Sequence, residues 1–332
     1  MSTPRSILVT GGAGFIGSHL VEFLLARGDR VVVVDDLSTG SESNLRHARA
    51  IAGDRLTLVR STVSEVAQGE LPEIPSRIFH LAAAVGVRRV LERPLDSIET
   101  NVFETSSALR LARRHQAPIL LASSSEVYGK ASKLPFAEDD DVVYGSTAVP
   151  RWSYGCAKAL DEWLGLAAWR ETGIPVVVAR IFNTVGPRQV GRWGMVLPRF
   201  VEAALAGRAL EIHGDGLQSR CFADVRDVSQ ALDALLACGA AAGRVFNVGS
   251  DEPITIRALA ERVVRRLESA SPLVHLPYET AYGPGFEDLR ARQPDLGRIR
   301  QTIGFERRIG LDQTIADLAR AMRSPGAHGE AA

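Results

Sequence analysis

The sequence predicts an α/β fold built on a doubly wound parallel sheet, and three observations carry that expectation. Short, continuously apolar runs recur through the first two thirds of the chain, helix-length segments separate them, and a glycine-rich turn joins the first run to the first helix. Runs that are apolar throughout, rather than alternating, fit strands buried on both faces. Strand alternating with helix then gives a parallel sheet.

The elements follow in order. "ILVT" from Ile7, "VVVVDD" from Val31, "LTLV" from Leu56, "IFHLAA" from Ile78, "ILLASS" from Ile119 and "VVVARI" from Val176 are expected strands, and "RVFNVGS" from Arg244 is one more. "FIGSHLVEFLLARG" and "SYGCAKALDEWLGLAAWRETG" are expected helices, the second closed by Gly173 as a helix C-terminus requires. After Arg180 the pattern loosens into Gly- and Pro-rich turns, "NTVGPRQVGRWGMVLP" and "HGDGLQSR". We expect a first domain over residues 1–181 plus about 224–252, and a smaller, partly interleaved second domain over 182–223 and 253–322. Residues 323–332, small and polar, are expected to form a flexible tail.

Composition excludes several classes of function. The 332 residues, 45% of them hydrophobic, can bury a large core. Lys plus Arg and Asp plus Glu balance at 39 each, so no net field draws nucleic acid or an anionic membrane, and any anion site must be local. Cys156, Cys221 and Cys238 are odd in number and lack metal-ligand spacing, which suits a reducing compartment and suggests neither a disulfide framework nor a zinc site. The chain enters a strand almost at once and no apolar run reaches membrane length, so a cytoplasmic protein is expected.

"TGGAGFIGSHL" sets Gly11, Gly12, Gly14 and Gly17 between a strand and a helix. Glycines there permit a tight turn and close backbone approach, while the helix opening at Phe15 and Ile16 presents N–H groups to a pyrophosphate. Asp35 ends the second strand, where a carboxylate accepts from ribose hydroxyls and repels a 2′-phosphate. The expected cofactor is therefore NAD on a Rossmann-type sheet, with Leu81 after the fourth strand as a further contact. Tyr154 and Lys158 in "SYGCAK" stand four apart on a helix, on one face. An ammonium beside a phenol favours phenolate, which makes tyrosine usable as a base.

Together these residues resemble the extended short-chain dehydrogenases/reductases that act on nucleotide sugars. "TGGAGFIG", "DDLSTG", "HLAA", "SSSEVYG", "YGCAK", "ARIFNTVGPR", "GDGLQSRCFADVRDV" and "FNVGS" occur in that family's order over nearly the whole chain. The resemblance implies that Ser124 hydrogen-bonds the reacting hydroxyl, Tyr154 is the base, and Lys158 tunes Tyr154 and holds the nicotinamide ribose. It implies a UDP-sugar substrate, with Asn183, Arg192 and Arg220 as substrate contacts, a guanidinium gripping phosphate oxygens as a fork. It also implies a homodimer built from the helix carrying Tyr154 and the helix after Glu99. One departure stands at the third strand, where relatives commonly carry Gly-Asp near the adenine and this chain has Ser61 and Thr62, so an altered adenine pocket is expected.

Within the family the reaction type turns on "SSSEVYG". Plain 4-epimerases tend to carry a small or apolar residue at the position of Glu126, and 4,6-dehydratases carry Asp-Glu where this chain has Ser125 and Glu126. Ser then Glu resembles UDP-glucuronate decarboxylases, which form UDP-xylose. They oxidise C4, lose CO₂ from the resulting β-keto acid, and reduce the ketone again. "RARQPD" resembles their Arg-x-Pro-Asp segment and makes Arg292 a candidate for protonation or carboxylate handling, while "PRWSY" also has a counterpart there. The loop "AVGVRRVLERP" lacks the typical Pro- and Tyr-containing segment, although Arg88 is a candidate cation for a uronate carboxylate, and "GRWGMVLPRF" is closer to epimerases. A 4-epimerase of UDP-glucose or UDP-glucuronate thus stays open, as does an NAD-binding scaffold or sensor without chemistry.

Overall fold

The computed structural model describes residues 6–84, 92–191, 195–282 and 289–323. The main sheet comprises β1 Ser6–Thr10, β2 Arg30–Val34, β3 Leu56–Val59, β4 Arg77–His80, β5 Ile119–Ser124, β6 Val176–Ile181 and, further along the chain, β11 Arg244–Val248. All are parallel, in the order β11-β6-β5-β4-β1-β2-β3. The order reverses between β1 and β4, and ligands bind at such a switch point, outside the carboxyl ends of the strands.

The apolar runs are buried on both faces because successive side chains alternate between two layers. Ile7, Val9, Val31 and Val33 pack with Leu20, Leu24 and Leu25 of the Phe15–Ala26 helix and with Val228, Leu232 and Leu235 of the Val225–Ala237 helix. Leu8, Val32, Val34, Ile78 and Ile119 face the other way, onto Ala108, Leu111 and Ala112 of the Pro94–His115 helix. The Ser153–Thr172 helix lies beside that last helix and carries the Tyr154 segment along β5 and β6.

Beyond β6 the strands are short. β7 Thr184–Val185 pairs with β10 Ala223–Asp224, and β8 Leu210–His213 with β13 Leu273–Leu276. β9 Ser219–Cys221 lies between β12 Pro253–Thr255 and β14 Ala291–Arg292. A separate core under them joins Leu197 and Phe200, Leu259 and Val263, and Ile315 and Leu318, from the helices Val196–Leu205, Ile256–Arg266 and Leu311–Arg323. Among the described residues no helix is long and apolar enough to cross a membrane, and no group of three or more His, Cys, Asp or Glu is placed to hold a metal.

Candidate active site

β1 ends at Thr10 and the chain turns through Gly11, whose φ of +69° lies in the left-handed region. A Cβ there would stand 2.6 Å from the Ala82 amide nitrogen, so glycine meets both the turn and the close approach. A Cβ on Gly17 would stand 2.1 Å from the Gly11 carbonyl oxygen, which seats the first helical turn directly on the loop. The helix starts at Phe15 after Gly14, and no side chain caps it, so its first amides and positive dipole end serve an anion. Ile16 and Leu81 pack on the core beneath, with the Leu81 amide donating to the Thr10 carbonyl at 3.1 Å.

Asp35, just past β2, is buried and already engaged with this loop. Its Oδ2 accepts from the Ala13 amide at 2.8 Å and its Oδ1 from the Leu37 amide at 2.9 Å. Burial pushes its carboxyl above the ordinary range against those hydrogen bonds. Each oxygen keeps a lone pair for a ribose hydroxyl, so Asp35 is suited both to brace the glycine turn and to meet a sugar. A cradle with no room for side chains, an uncapped helix start and this acid together fit a dinucleotide.

Ser61 and Thr62 have a local use. Thr62 caps the short Val63–Val66 helix, its Oγ1 accepting from the Glu65 amide at 3.2 Å while Glu65 Oε2 accepts from the Thr62 amide at 3.0 Å. Ser61 Oγ donates to the same Glu65 oxygen at 2.7 Å. Thr62 and Glu65 complete a capping box, and Ser61 braces its carboxylate.

At the carboxyl end of β5, Ser124 caps the turn Ser125–Tyr128, its Oγ accepting from the Glu126 amide at 3.2 Å. Its side chain is also hydrogen-bonded to the Tyr154 phenol. Lys158 is buried, and its Nζ donates to Asp161 Oδ2 at 3.1 Å. The expectation that an ammonium lowers the Tyr154 pKa is not what this state shows. Burial raises the phenol's proton affinity, the Glu126 charge adds to it, and the Ser124 hydrogen bond opposes both. The helix is held to the sheet by a second buried pair: Arg180 forks onto Glu162, with Nε at 2.9 Å from Oε1 and Nη2 at 2.7 Å from Oε2, and Ser123 Oγ donates to Oε1 at 2.5 Å.

Glu126 is gripped by two arginines. Arg151 reaches Oε2 through Nη1 at 2.6 Å and Oε1 through Nη2 at 3.1 Å, and Arg292 Nη1 donates to Oε1 as well. The three side chains are 13%, 6% and 8% exposed, so the charges meet with little solvent screening. Burial alone would raise the Glu126 carboxyl, but the charges of Arg292 and Arg151 outweigh it and hold the pKa near about 2. Glu126 is therefore a permanent anion here, and it brings two guanidiniums beside Ser124 and Tyr154.

Arg220 and Arg292 are register partners on β9 and β14, so their side chains leave the same face, and both are buried. Arg220 Nη1 donates to the Ser219 carbonyl at 2.7 Å. Asn183 anchors the start of the short-strand region, its carbonyl accepting from the Ala223 amide at 3.0 Å. Arg88 and Arg192 lie outside the described residues. Two site residues were not singled out from sequence. Arg151 sits on the turn Pro150–Trp152, its guanidinium 5.5 Å from the Trp152 ring centroid, and the quoted "PRWSY" was its signal. Asp161 follows Lys158 by three and had no signal beyond that spacing.

A parallel sheet with a glycine cradle at its switch point, and a Tyr–Lys pair beside its fifth strand, defines a dinucleotide-dependent enzyme of the short-chain dehydrogenase/reductase type. The chain belongs to the NAD dependent epimerase/dehydratase family, whose model matches residues 7–249, and NAD is its cofactor. It is 37% identical over 314 residues to the UDP-N-acetyl-alpha-D-glucosaminuronate decarboxylase of Bacillus cytotoxicus, covering 94% of this chain and 96% of that one. It is 34% identical over 321 residues to UDP-glucuronic acid decarboxylase 1 of Arabidopsis thaliana, covering 96% of this chain and 70% of the relative. Among solved structures, UDP-glucose 4-epimerase of Thermotoga maritima with UDP-glucose superposes with a TM-score of 0.85 at 28% identity, covering 96% of this chain and 99% of that one. The protein is an enzyme of the nucleotide-sugar decarboxylase and epimerase type.

Proposed function

We propose that the protein is an NAD-dependent decarboxylase of a UDP-hexuronate, converting UDP-glucuronate to UDP-xylose. The observation that supports this most is the buried Arg151–Glu126–Arg292 trio beside Ser124 and Tyr154, since a sugar carboxylate next to a reacting C4 needs a cation nearby. Relatives named as decarboxylases of UDP-glucuronic acid and of UDP-N-acetylglucosaminuronate support it. The second of these substrates differs by an acetamido group, and the full-length match to its decarboxylase makes it the alternative substrate.

Bound NAD supplies a hydride acceptor and, once reduced, a hydride donor. Gly11, Gly14, Phe15, Ile16 and Gly17 would hold its pyrophosphate, Asp35 its adenosine ribose, and Lys158 its nicotinamide ribose. Arg220 and Asn183 hold the UDP. Ser124 orients the C4 hydroxyl and Tyr154 takes its proton as the hydride leaves C4. The product is a β-keto acid, whose carboxylate is held by Arg292 until the bond from C5 breaks and CO₂ departs; the electron pair passes into a C4–C5 enolate, and C5 takes a proton from solvent water to restore the 4-ketone. Glu126 stays ionised and fixes both arginines, and Tyr154 returns its proton to the C4 oxygen when hydride comes back.

The same reading includes a homodimer. Leu95 and Phe103 on the Pro94–His115 helix and Trp163 on its neighbour are 65%, 62% and 59% exposed, an apolar face of the kind that a partner covers. The helix begins earlier than Glu99, at Pro94.

Incubation of the protein and NAD with each uronate, followed by anomeric proton signals, tests the reaction. A product that retains its carboxylate overturns the decarboxylase. Conversion of UDP-glucose to UDP-galactose would favour the 4-epimerase, and NAD binding with neither product nor transient NADH absorbance would favour a scaffold.

A further inference from the structure

Lys158 and Asp161 form an ion pair sealed from solvent, each side chain 2% exposed, with Nζ 3.1 Å from Oδ2, and the Thr105 hydroxyl also hydrogen-bonds the carboxylate. The other carboxylate oxygen, Oδ1, is buried without a hydrogen-bond partner. A buried pair with one unsatisfied oxygen is poor value as a stabilising device, since desolvation offsets the attraction and each orphan acceptor adds a cost. Its place, one helical turn past the catalytic tyrosine's lysine, gives it a chemical use instead.

We propose that Asp161 is a positioning residue for the Tyr154 and Lys158 pair: standing on the same helix face at i, i+4 and i+7, it fixes the buried Lys158 ammonium and offsets its charge beside the Tyr154 phenol. The inference rests on Tyr154 being the base of the sugar oxidation, whichever sugar is used.

The neighbours leave this role to Asp161. From β4, His80 faces Lys158, but its ring is bonded to Thr10 Oγ1 at 2.8 Å and Thr105 Oγ1 at 3.2 Å, and burial, with Lys158 adding to it, pushes its pKa down to about 3. It is neutral at any working pH. From the Pro94–His115 helix only a hydroxyl, that of Thr105, acts on Asp161 among the described groups, in the same direction as Lys158. Glu162, on the same helix, is committed to Ser123 and Arg180, and Glu126, across from Tyr154, to Arg151 and Arg292. Burial raises the Asp161 carboxyl and Lys158 opposes it, while Asp161 in turn adds to the proton affinity of Tyr154. An unopposed ammonium would favour the phenolate over the phenol. The Asp161 charge moderates that field, keeping proton uptake and release both feasible.

The test is a spectrophotometric titration of tyrosinate in the NAD complex, with the signal of Tyr154→Phe subtracted, beside the pH profile of kcat/KM. Removing one negative charge lowers the proton affinity of the whole coupled site, however it is shared. Asp161→Asn should therefore move the Tyr154 transition and the acid limb to lower pH by about one unit, and Asp161→Glu should leave both near the wild type. Asp161→Ser carries the same expectation as Asp161→Asn if the amide does not fold. A Tyr154 transition that ignores the loss of the Asp161 charge, or moves to higher pH, overturns the inference. If the wild type shows no Tyr154-dependent transition at all, the reading of Tyr154 as base fails with it.

Discussion

Gly155 rests the helix that holds Tyr154 directly on the backbone of Glu126: a Cβ at position 155 would stand 2.4 Å from the Glu126 carbonyl oxygen. That contact sets the distance between the Tyr154 segment and the Glu126 turn, because neither partner is a flexible side chain tip. Gly155→Ala should force a backbone shift costing about 1–3 kcal/mol of stability. Since a displacement of about 1 Å costs on the order of a hundredfold in rate, kcat/KM should fall far more than the loss of stability implies. Thermal unfolding and steady-state kinetics on the same variant check both halves.

The Glu126 ion cluster predicts an acid limb of stability. Its folded pKa is about 2, below the ordinary 4.5, so the stabilisation is fully present above pH 4.5 and is lost as pH falls toward 2. The window is worth about 3 kcal/mol, taking 1.36 kcal/mol per unit. Denaturant titrations should show the wild type losing this increment between those limits, and Glu126→Gln lacking that component while already weaker at neutral pH. The same variant should lose decarboxylation yet keep the oxidative half reaction, seen as NADH absorbance that builds and persists. Decarboxylation at the wild-type rate would remove Glu126 from the mechanism.

The main sheet was legible because its information is local: continuous apolar runs such as Val31–Val34 need both faces covered wherever they fold. The short strands were not, since β9 and β14 are three and two residues long and exist through pairing across distant segments, as Arg220 with Arg292. The site divides along the same line. Glycine loop, Tyr154 and Lys158 are spacing motifs, whereas Arg151, on a turn, and Asp161, on a helix, read as ordinary charges until tertiary burial makes them partners of Glu126 and Lys158. Thr62 through Glu65 carried a capping box that is legible in the sequence and accounts for the local use of these hydroxyls.

Arg292 and Arg220 leave one sheet face side by side, and mutating each in turn tests the proposed carboxylate and nucleotide roles. Arg292→Ala should lower kcat/KM for the uronate by about two to three orders of magnitude, the loss of a buried charged contact, while changing UDP affinity little. Arg220→Ala should do the reverse. Calorimetry with UDP and kinetics with the UDP-uronate distinguish them. Equal loss of UDP affinity in both variants would assign Arg292 to the nucleotide instead.

The apolar helix face gives the last prediction. Phe103 and Trp163, 62% and 59% exposed on adjacent helices, would each leave a large ring in water unless a second copy covered it. A ring of this size buries on the order of 150–250 Å² when covered, and burial at about 25 cal/mol per Å² makes the pair worth several kcal/mol to an interface. Phe103→Glu with Trp163→Glu places like charges across the proposed symmetry axis and should convert the protein to a monomer in sedimentation velocity. Neither residue contacts the Glu126 cluster, so the monomer should keep its fold by circular dichroism. A wild type that already sediments as a monomer would leave this face to another partner and end the dimer reading.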